Sequence, residues 1–386
     1  MTTLITGATK VDARGVTSDF WMLVDGPVIT ATGTGSAGAP TSADVSETVD
    51  AQGAFLTPGL IDLHAHGGGG HAFDDGTAEI EAALRTHRAH GTTRSLISLV
   101  ANPLALLHRS LDGIADLAES DPLVLGAHLE GPFLSPDNRG AHHPDHLAVP
   151  DAATVAGLLT AARGHLRVVT MAPELPHALD AVGTFREAGV VVGVGHTQAD
   201  HDLARAAFER GATLLTHAFN AMPGIHHRAP GPVVAAIEDE RVVLELILDG
   251  VHVHPAVVAL AFSGAPDRIA LVTDAMAAAG APDGDYQLGA LDVTVVGGRA
   301  VLTGTETIAG STLTQDVALR LAVSEARLSP RDAVTALTRT PARVLGLDDR
   351  MGTVAPGHVA DLVLWDSDWR VQRVWADGAV LSTLTP

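Results

Sequence analysis

The sequence has no cysteine, which excludes disulfides, thiolate nucleophiles and metal sites built on sulfur. It has a single lysine, Lys10. Aromatic residues make up only 3% of the chain, so the core must be built from Ala, Val, Leu and Ile. Positive charge is also scarce: 24 Lys and Arg stand against 45 Asp and Glu, for a net charge of −21. That field repels nucleic acid and anionic membranes, so neither is expected as a partner. An anionic substrate would need a local group of Arg, His or backbone N–H. No run approaches the roughly 20 apolar residues of a membrane span. The opening Met-Thr-Thr-Leu-Ile-Thr-Gly lacks a basic region followed by an apolar core, so no signal peptide is expected and the chain reads as soluble and cytoplasmic. What is abundant is histidine, with 20 residues, the nitrogen ligand that remains when thiolates are absent.

A length of 386 residues exceeds the usual size of one core and predicts one large domain plus a smaller one. Near-continuous Val/Leu/Ile runs predict strands at Leu60–His66, Thr92–Val100, Val124–Glu130, Val168–Glu174, Val190–Thr197, Ala212–Asn220, Val242–Gly250 and Ile269–Met276. Runs without polar alternation suit a parallel sheet buried on both faces. Amphipathic stretches separate them, such as Ala78–His90, Pro103–Glu119, Ala199–Arg210 and Pro255–Ser263. Several end in a helix-stopping glycine, as at Gly91, Gly189 and Gly211. Eight strands alternating with helices predict an α/β fold, a (β/α)8 barrel over residues 57–343. A hairpin is expected where Leu291–Val296 and Arg299–Thr303 flank Gly297-Gly298, then helices at Thr314–Ala326 and Pro330–Leu337. Residues 1–56 hold short β-like pieces, Phe20–Val24 and Val28–Ala31, and a small-residue linker, Gly33–Ser46. Three more strands are expected in residues 344–386. The two ends together predict a small β-sandwich domain.

A barrel enzyme carries its chemistry at the C-terminal ends of its strands, and unusual polar residues fall there. The first strand closes on His64 and His66, the third on His128-Leu-Glu130, the fifth on Gly195-His196 and the sixth on Thr216-His217. The seventh leads into Asp249 and His252, and the eighth ends in Thr273-Asp274. Taken singly, each has an ordinary explanation: a hydrogen-bonded core histidine, a turn carboxylate, or an aspartate N-cap. Among them His64, His66, His196 and His217 with Glu130 and Asp274 place four imidazoles and two carboxylates on one rim, which points to a metal centre. Alternate strand residues share a face, so both rings of His64 and His66 enter the barrel together. Two ions about 3.5–4 Å apart need a bridging group. Some barrel hydrolases use a carboxylated lysine, but Lys10 lies far from any barrel strand end. Glu130 is the well-placed alternative. It is expected to bridge one ion held by His64, His66 and Asp274 and a second held by His196 and His217. Nitrogen and oxygen ligands suit two divalent ions, zinc first, with iron, manganese, cobalt or nickel as alternatives.

At this point the chain resembles the N-acetylglucosamine-6-phosphate deacetylases of the amidohydrolase superfamily. The resemblance is carried by PGLIDLHAHGGGG (58–70), HLEGPF (128–133), MAPE (171–174), GHT (195–197), THAFNAMPG (216–224), DGVHVH (249–254), VTDAM (272–276) and IAGSTLT (308–314). The closing MGTVAPGHVADLVLWD resembles a sandwich strand common among amidohydrolases. HLEGPF and THAFNAM mark the deacetylase branch, whereas His-x-His marks only the superfamily. Some members carry Gln and Asn in place of His64 and His66 and bind one metal, so the two histidines here imply a two-metal centre. The family often shows Gly-Thr-His-Asn-Pro where this chain has Gly140-Ala-His142-His143-Pro144, so any contact at Ala141 comes from its backbone.

The resemblance implies hydrolysis of the acetamide of N-acetyl-D-glucosamine 6-phosphate, giving D-glucosamine 6-phosphate and acetate. A metal lowers the pKa of water from 15.7 to about 7. Asp274 would take the water's proton and return it to the sugar nitrogen, and His252 would polarise the acetyl carbonyl. With lysine unavailable, Arg228 in the loop after the sixth strand is the expected phosphate ligand. The resemblance further implies a sugar-phosphate site lined by Ala141, His142, Asn220, Ala221, Ile308, Ala309 and Gly310. It also implies a homodimer in which Arg228 or His142 acts in its own subunit or across the interface. The alternatives are another amidohydrolase, such as a nucleobase deaminase or cyclic amidase, or an inactive barrel serving as a binding protein.

Overall fold

A computed structural model describes residues 2–35, 38–40 and 45–383. Of the small-residue stretch Gly33–Ser46, residues 36–37 and 41–44 lie outside the described residues. Two compact units are present, one of residues 1–62, 87–94 and 315–386, the other of 63–86 and 95–314.

The barrel strands are β1 (Leu60–Asp62), β2 (Thr92–Leu99), β3 (Val124–Glu130), β4 (Leu166–Met171), β5 (Val191–Val194), β6 (Leu214–Leu215), β7 (Val243–Ile247) and β8 (Ile269–Val272). Each pairs with the next in chain order, forming one eight-stranded sheet, and from β2 to β8 the registers are parallel. Every residue of β2 and β7 is buried, as a sheet covered on both faces requires. The last gap closes beyond the regular strands, where Ala65 bridges Ala275 in parallel and Asp274 donates its N–H to the His64 carbonyl at 2.8 Å.

Helices fill the connections, and their ends follow local chemistry. Asp200 caps His201–Arg210 by accepting from the Leu203 N–H at 2.9 Å. Gly211 ends that helix at φ 118°, a left-handed conformation that glycine adopts without steric cost. The hairpin after β8 has a third strand: Gly284–Leu288, Leu291–Val296 and Arg299–Leu302 form an antiparallel sheet.

The two chain ends build a mixed eight-stranded sheet. Its longest N-terminal members are Thr2–Asp12 and Gly15–Asp25, so β structure there is more extensive than the short pieces expected. Thr2–Asp12 pairs in parallel with Glu47–Asp50 along its first half and with Phe55–Pro58 along its second. Ile5, Phe20, Met22, Leu56, Leu362 and Trp375 meet in this unit's own core. Among the described residues, no helix is long and apolar enough to cross a membrane.

Candidate metal centre and cavity

Four of the regular strands stop short of the polar residues expected to close them, whereas β3 runs to Glu130. The expected strands ran to His66, Thr197, Asn220 and Met276, whereas β1, β5, β6 and β8 end at Asp62, Val194, Leu215 and Val272. His196, His217 and Asp274 take left-handed φ values of 47°, 28° and 48°. No extended ladder can continue through such residues, and strained backbone of this kind gathers at functional sites. The turn aims each side chain back over the barrel mouth. Gly195 makes the passage possible, because a Cβ there would lie 2.8 Å from both Thr170 Cγ2 and Thr216 Cβ.

Glu130, at the end of β3, stands at the centre. Its Oε1 lies 3.0 Å from His196 Nε2 and 3.0 Å from His217 Nε2. It also lies 3.4 Å from His64 Nε2, while Oε2 is 3.1 Å from His66 Nε2. Asp274 Oδ1 approaches His66 Nε2 at 3.3 Å and His64 Nε2 at 3.6 Å. The six residues expected as ligands therefore converge, and all are buried. His64, His66, Glu130 and Asp274 form one group able to hold a metal ion, with all ligand atoms within 4.8 Å of one another. Glu130, His142 and His196 form another.

The electrostatics fit a cation. Burial disfavours charge on His66, yet Asp274 and Glu130 raise its pKa to about 9. Burial likewise opposes ionisation of Asp274, but His64 and His66 bring it down to about 2. His64 Nε2 faces His66 Nε2 at 3.1 Å, and His217 Nε2 faces His196 Nε2 at 3.0 Å. Two ring nitrogens that close cannot both present lone pairs unless a positive centre lies between or beside them. The donor set, imidazole and carboxylate without sulfur, matches divalent zinc, iron, manganese, cobalt or nickel.

The far sides of two of the rings show how they are held. His196 Nδ1 donates to the Asn138 carbonyl at 2.8 Å. His64 Nδ1 faces Glu245 Oε2 at 3.4 Å. Partners of this kind fix the tautomer and orientation of ligand histidines. His142 differs, because its Nδ1 accepts the Ala101 N–H at 3.1 Å. Its ring proton therefore sits on Nε2, 3.3 Å from Glu130 Oε2, which makes it a hydrogen-bond donor. Burial, outweighing Glu130, pushes its pKa down to about 4, so the ring is neutral.

A cavity of about 530 Å³ opens above these residues. Its lining includes His66, Glu130, His196, His217 and Asp274, together with Ala141, His142, Asn220, Ala221, His252, Ile308 and Gly310. Ala309 is fully buried and outside that lining. Arg228 is exposed, also outside the lining, with Nη1 2.7 Å from His227 Nε2. Arg139, which sequence reasoning passed over, is the one arginine or lysine among the described lining residues. Glu245 was passed over too, although a lone carboxylate in the apolar run Val243-Leu-Glu-Leu-Ile247 was a readable signal.

Residues 55–381 match the Amidohydrolase family. The chain belongs to that family. Among its amidohydrolase relatives, the N-acetylgalactosamine-6-phosphate deacetylase of Escherichia coli O157:H7 is 39% identical over 96% of this chain and 98% of its own length. The N-acetylglucosamine-6-phosphate deacetylase of Bos taurus is 35% identical, covering 87% of this chain and 85% of its own. A solved amidohydrolase structure resembles the whole chain: the Mycobacterium smegmatis N-acetyl-D-glucosamine-6-phosphate deacetylase, an Asp-to-Ala variant in complex with N-acetyl-D-glucosamine 6-phosphate. It superposes with a TM-score of 0.92 at 41% identity, covering 99% of this chain and 100% of that one. The Pasteurella multocida N-acetylglucosamine-6-phosphate deacetylase reaches 0.94 at 27% identity, over 100% of both chains.

Proposed function

We propose that this amidohydrolase removes the acetyl group of an N-acetylhexosamine 6-phosphate, N-acetyl-D-glucosamine 6-phosphate first, releasing acetate and the free amino sugar phosphate. The observation that carries the reading is the Asp274 carboxylate, which lines the cavity 3.3 Å from His66 Nε2 and beside Glu130 and the other histidines. The names of the relatives support the substrate class.

His64, His66 and Asp274 would hold one divalent ion, His196 and His217 a second, with Glu130 between them, zinc being the first candidate. Bound there, such ions supply Lewis acidity and lower the pKa of water from 15.7 to about 7. Asp274 accepts the proton of the attacking water as its oxygen bonds to the acetyl carbon. It returns that proton to the nitrogen as the C–N bond breaks, so the base of the first step is the acid of the second. His252 is held by Asp249, whose Oδ2 lies 2.7 Å from Nδ1. With Nδ1–H given to that carboxylate, Nε2 carries a proton only in the cationic ring, whose Nε2–H can donate to the carbonyl oxygen. The Nε2–H of His142, which also faces Glu130 Oε2 at 3.3 Å, is a second donor. Backbone groups at Ala141, Asn220, Ala221, Ile308 and Gly310 line the sugar site, with Ala309 supporting them from behind. Arg139 faces the phosphate within the subunit, and in a homodimer Arg228 of the partner subunit completes the clamp.

The test is acetate release from N-acetyl-D-glucosamine 6-phosphate, its galactosamine isomer and the unphosphorylated sugar, with Asp274→Asn alongside. Release from the phosphorylated sugars, abolished in the variant, is the expected result. No acetate from any of the three would dismiss the deacetylase reading.

A further inference from the structure

Glu245 sits in the middle of β7 and is fully buried. Register places its neighbour Leu244 beside Leu215 of β6 and Ile269 of β8. A carboxylate so placed is unfavourable unless something positive or hydrogen-bonding meets it. Its Oε2 lies 3.4 Å from His64 Nδ1 and 3.4 Å from the His217 backbone N–H. Its Oε1 has no hydrogen-bond partner among the described residues. The side chain is therefore directed at the far nitrogen of one ring of the proposed metal clamp.

An imidazole can offer Nε2 to a cation only when its proton rests on Nδ1. A carboxylate behind Nδ1 fixes that tautomer, orients the ring and raises its basicity. His66 has no such support, since its Nδ1 is buried without a hydrogen-bond partner among the described residues. His64 is thus the anchored half of the pair.

We propose that Glu245 is a positioning residue that holds His64 through Nδ1–H and thereby sets the affinity of the ion held by His64 and His66. This rests on the metal reading of the site above. The contact with His217 is to its backbone, so the ring that serves the other ion is not turned by Glu245.

The experiment is titration of metal-stripped protein with Zn²⁺ against a chromophoric chelator, for wild type, Glu245→Gln and Glu245→Leu. Gln keeps the shape and an acceptor oxygen; Leu keeps only bulk. Circular dichroism and the thermal midpoint of the stripped proteins report folding. The expected result is two ions in wild type, with one bound about 10–100-fold more weakly in the Leu variant, the Gln variant falling between. The second ion should hold its affinity. Unchanged affinities in both variants overturn the proposal, as does equal weakening of both ions in the well-folded Gln variant. Wild-type protein that takes up no Zn²⁺ instead overturns the metal reading itself, and the proposal with it.

Discussion

His142 accepts the Ala101 backbone N–H at Nδ1, 3.1 Å away, and this one bond decides what the ring can do. Its lone pair is occupied, so it cannot serve as a ligand through Nδ1, and its Nε2 bears the proton. His142→Phe keeps the ring volume and removes the donor. A fall in kcat of about 10²–10³, the cost of losing one oxyanion donor, is expected with bound metal unchanged. Metal analysis alongside steady-state kinetics checks this. Loss of an ion together with activity would make His142 a ligand instead.

The pair Asp249 and His252 predicts a pH dependence. Burial of His252 favours its neutral form, but the Asp249 carboxylate 2.7 Å from Nδ1 outweighs burial and raises its pKa above the usual histidine value. The sign follows: the cationic form persists above the ordinary histidine range and is lost as pH rises through the raised pKa. A decline in kcat/KM on the alkaline side is expected from that loss. Asp249→Asn removes the cause and should move the decline to lower pH. A profile identical in the variant would show that this pair does not set the limb.

The barrel was readable because its strands are unbroken apolar runs, and β3 begins at Val124 and ends at Glu130 where those runs place it. The candidate ligands that converge on Glu130 stood out for a related reason: they are polar residues at the ends of such runs. Strand ends were over-extended at His196, His217 and Asp274, because a positive φ leaves no mark in side-chain pattern. The N-terminal strand Thr2–Asp12 was missed because its Thr-Ala-Gly content carries little apolar alternation, and its partners at Glu47–Asp50 and Phe55–Pro58 are distant in sequence. Outer partners such as Asn138 and Ala101 act through backbone atoms, which residue identity does not advertise. Arg139 and Arg228 could not be ranked from sequence, since only folding puts the first in the cavity lining and leaves the second outside it.

That placement of Arg228 makes its role testable by subunit mixing. In a two-fold dimer whose sites borrow an arginine from across the interface, each subunit completes the other. Arg228→Ala and Asp274→Asn should each be impaired alone on the phosphorylated sugar. Mixing them under conditions of subunit exchange should restore activity, because the hybrid contains one site with Asp274 intact and Arg228 of the partner subunit. No recovery in demonstrably mixed dimers would place the role of Arg228 within its own subunit, or remove it.

Arg94 predicts a stability effect remote from chemistry. Its Nε and Nη2 donate to the two Asp361 oxygens at 2.7 and 3.1 Å, and Nη2 also reaches Asp377 at 2.7 Å. The Arg94 and Asp361 side chains are only 5% and 6% exposed. Burial alone would lower the guanidinium pKa, but Asp361 and Asp377 more than offset it, so the group is cationic throughout. Removing one partner of a buried pair strands the other charge, which costs about 3–5 kcal/mol, whereas replacing both with apolar groups can be nearly neutral. Arg94→Met should therefore lower the unfolding free energy by about that amount in urea titration. Adding Asp361→Leu should recover part of the loss. A single variant less than about 1 kcal/mol destabilised would mean that water reaches Asp361 and screens the pair as it does at a surface.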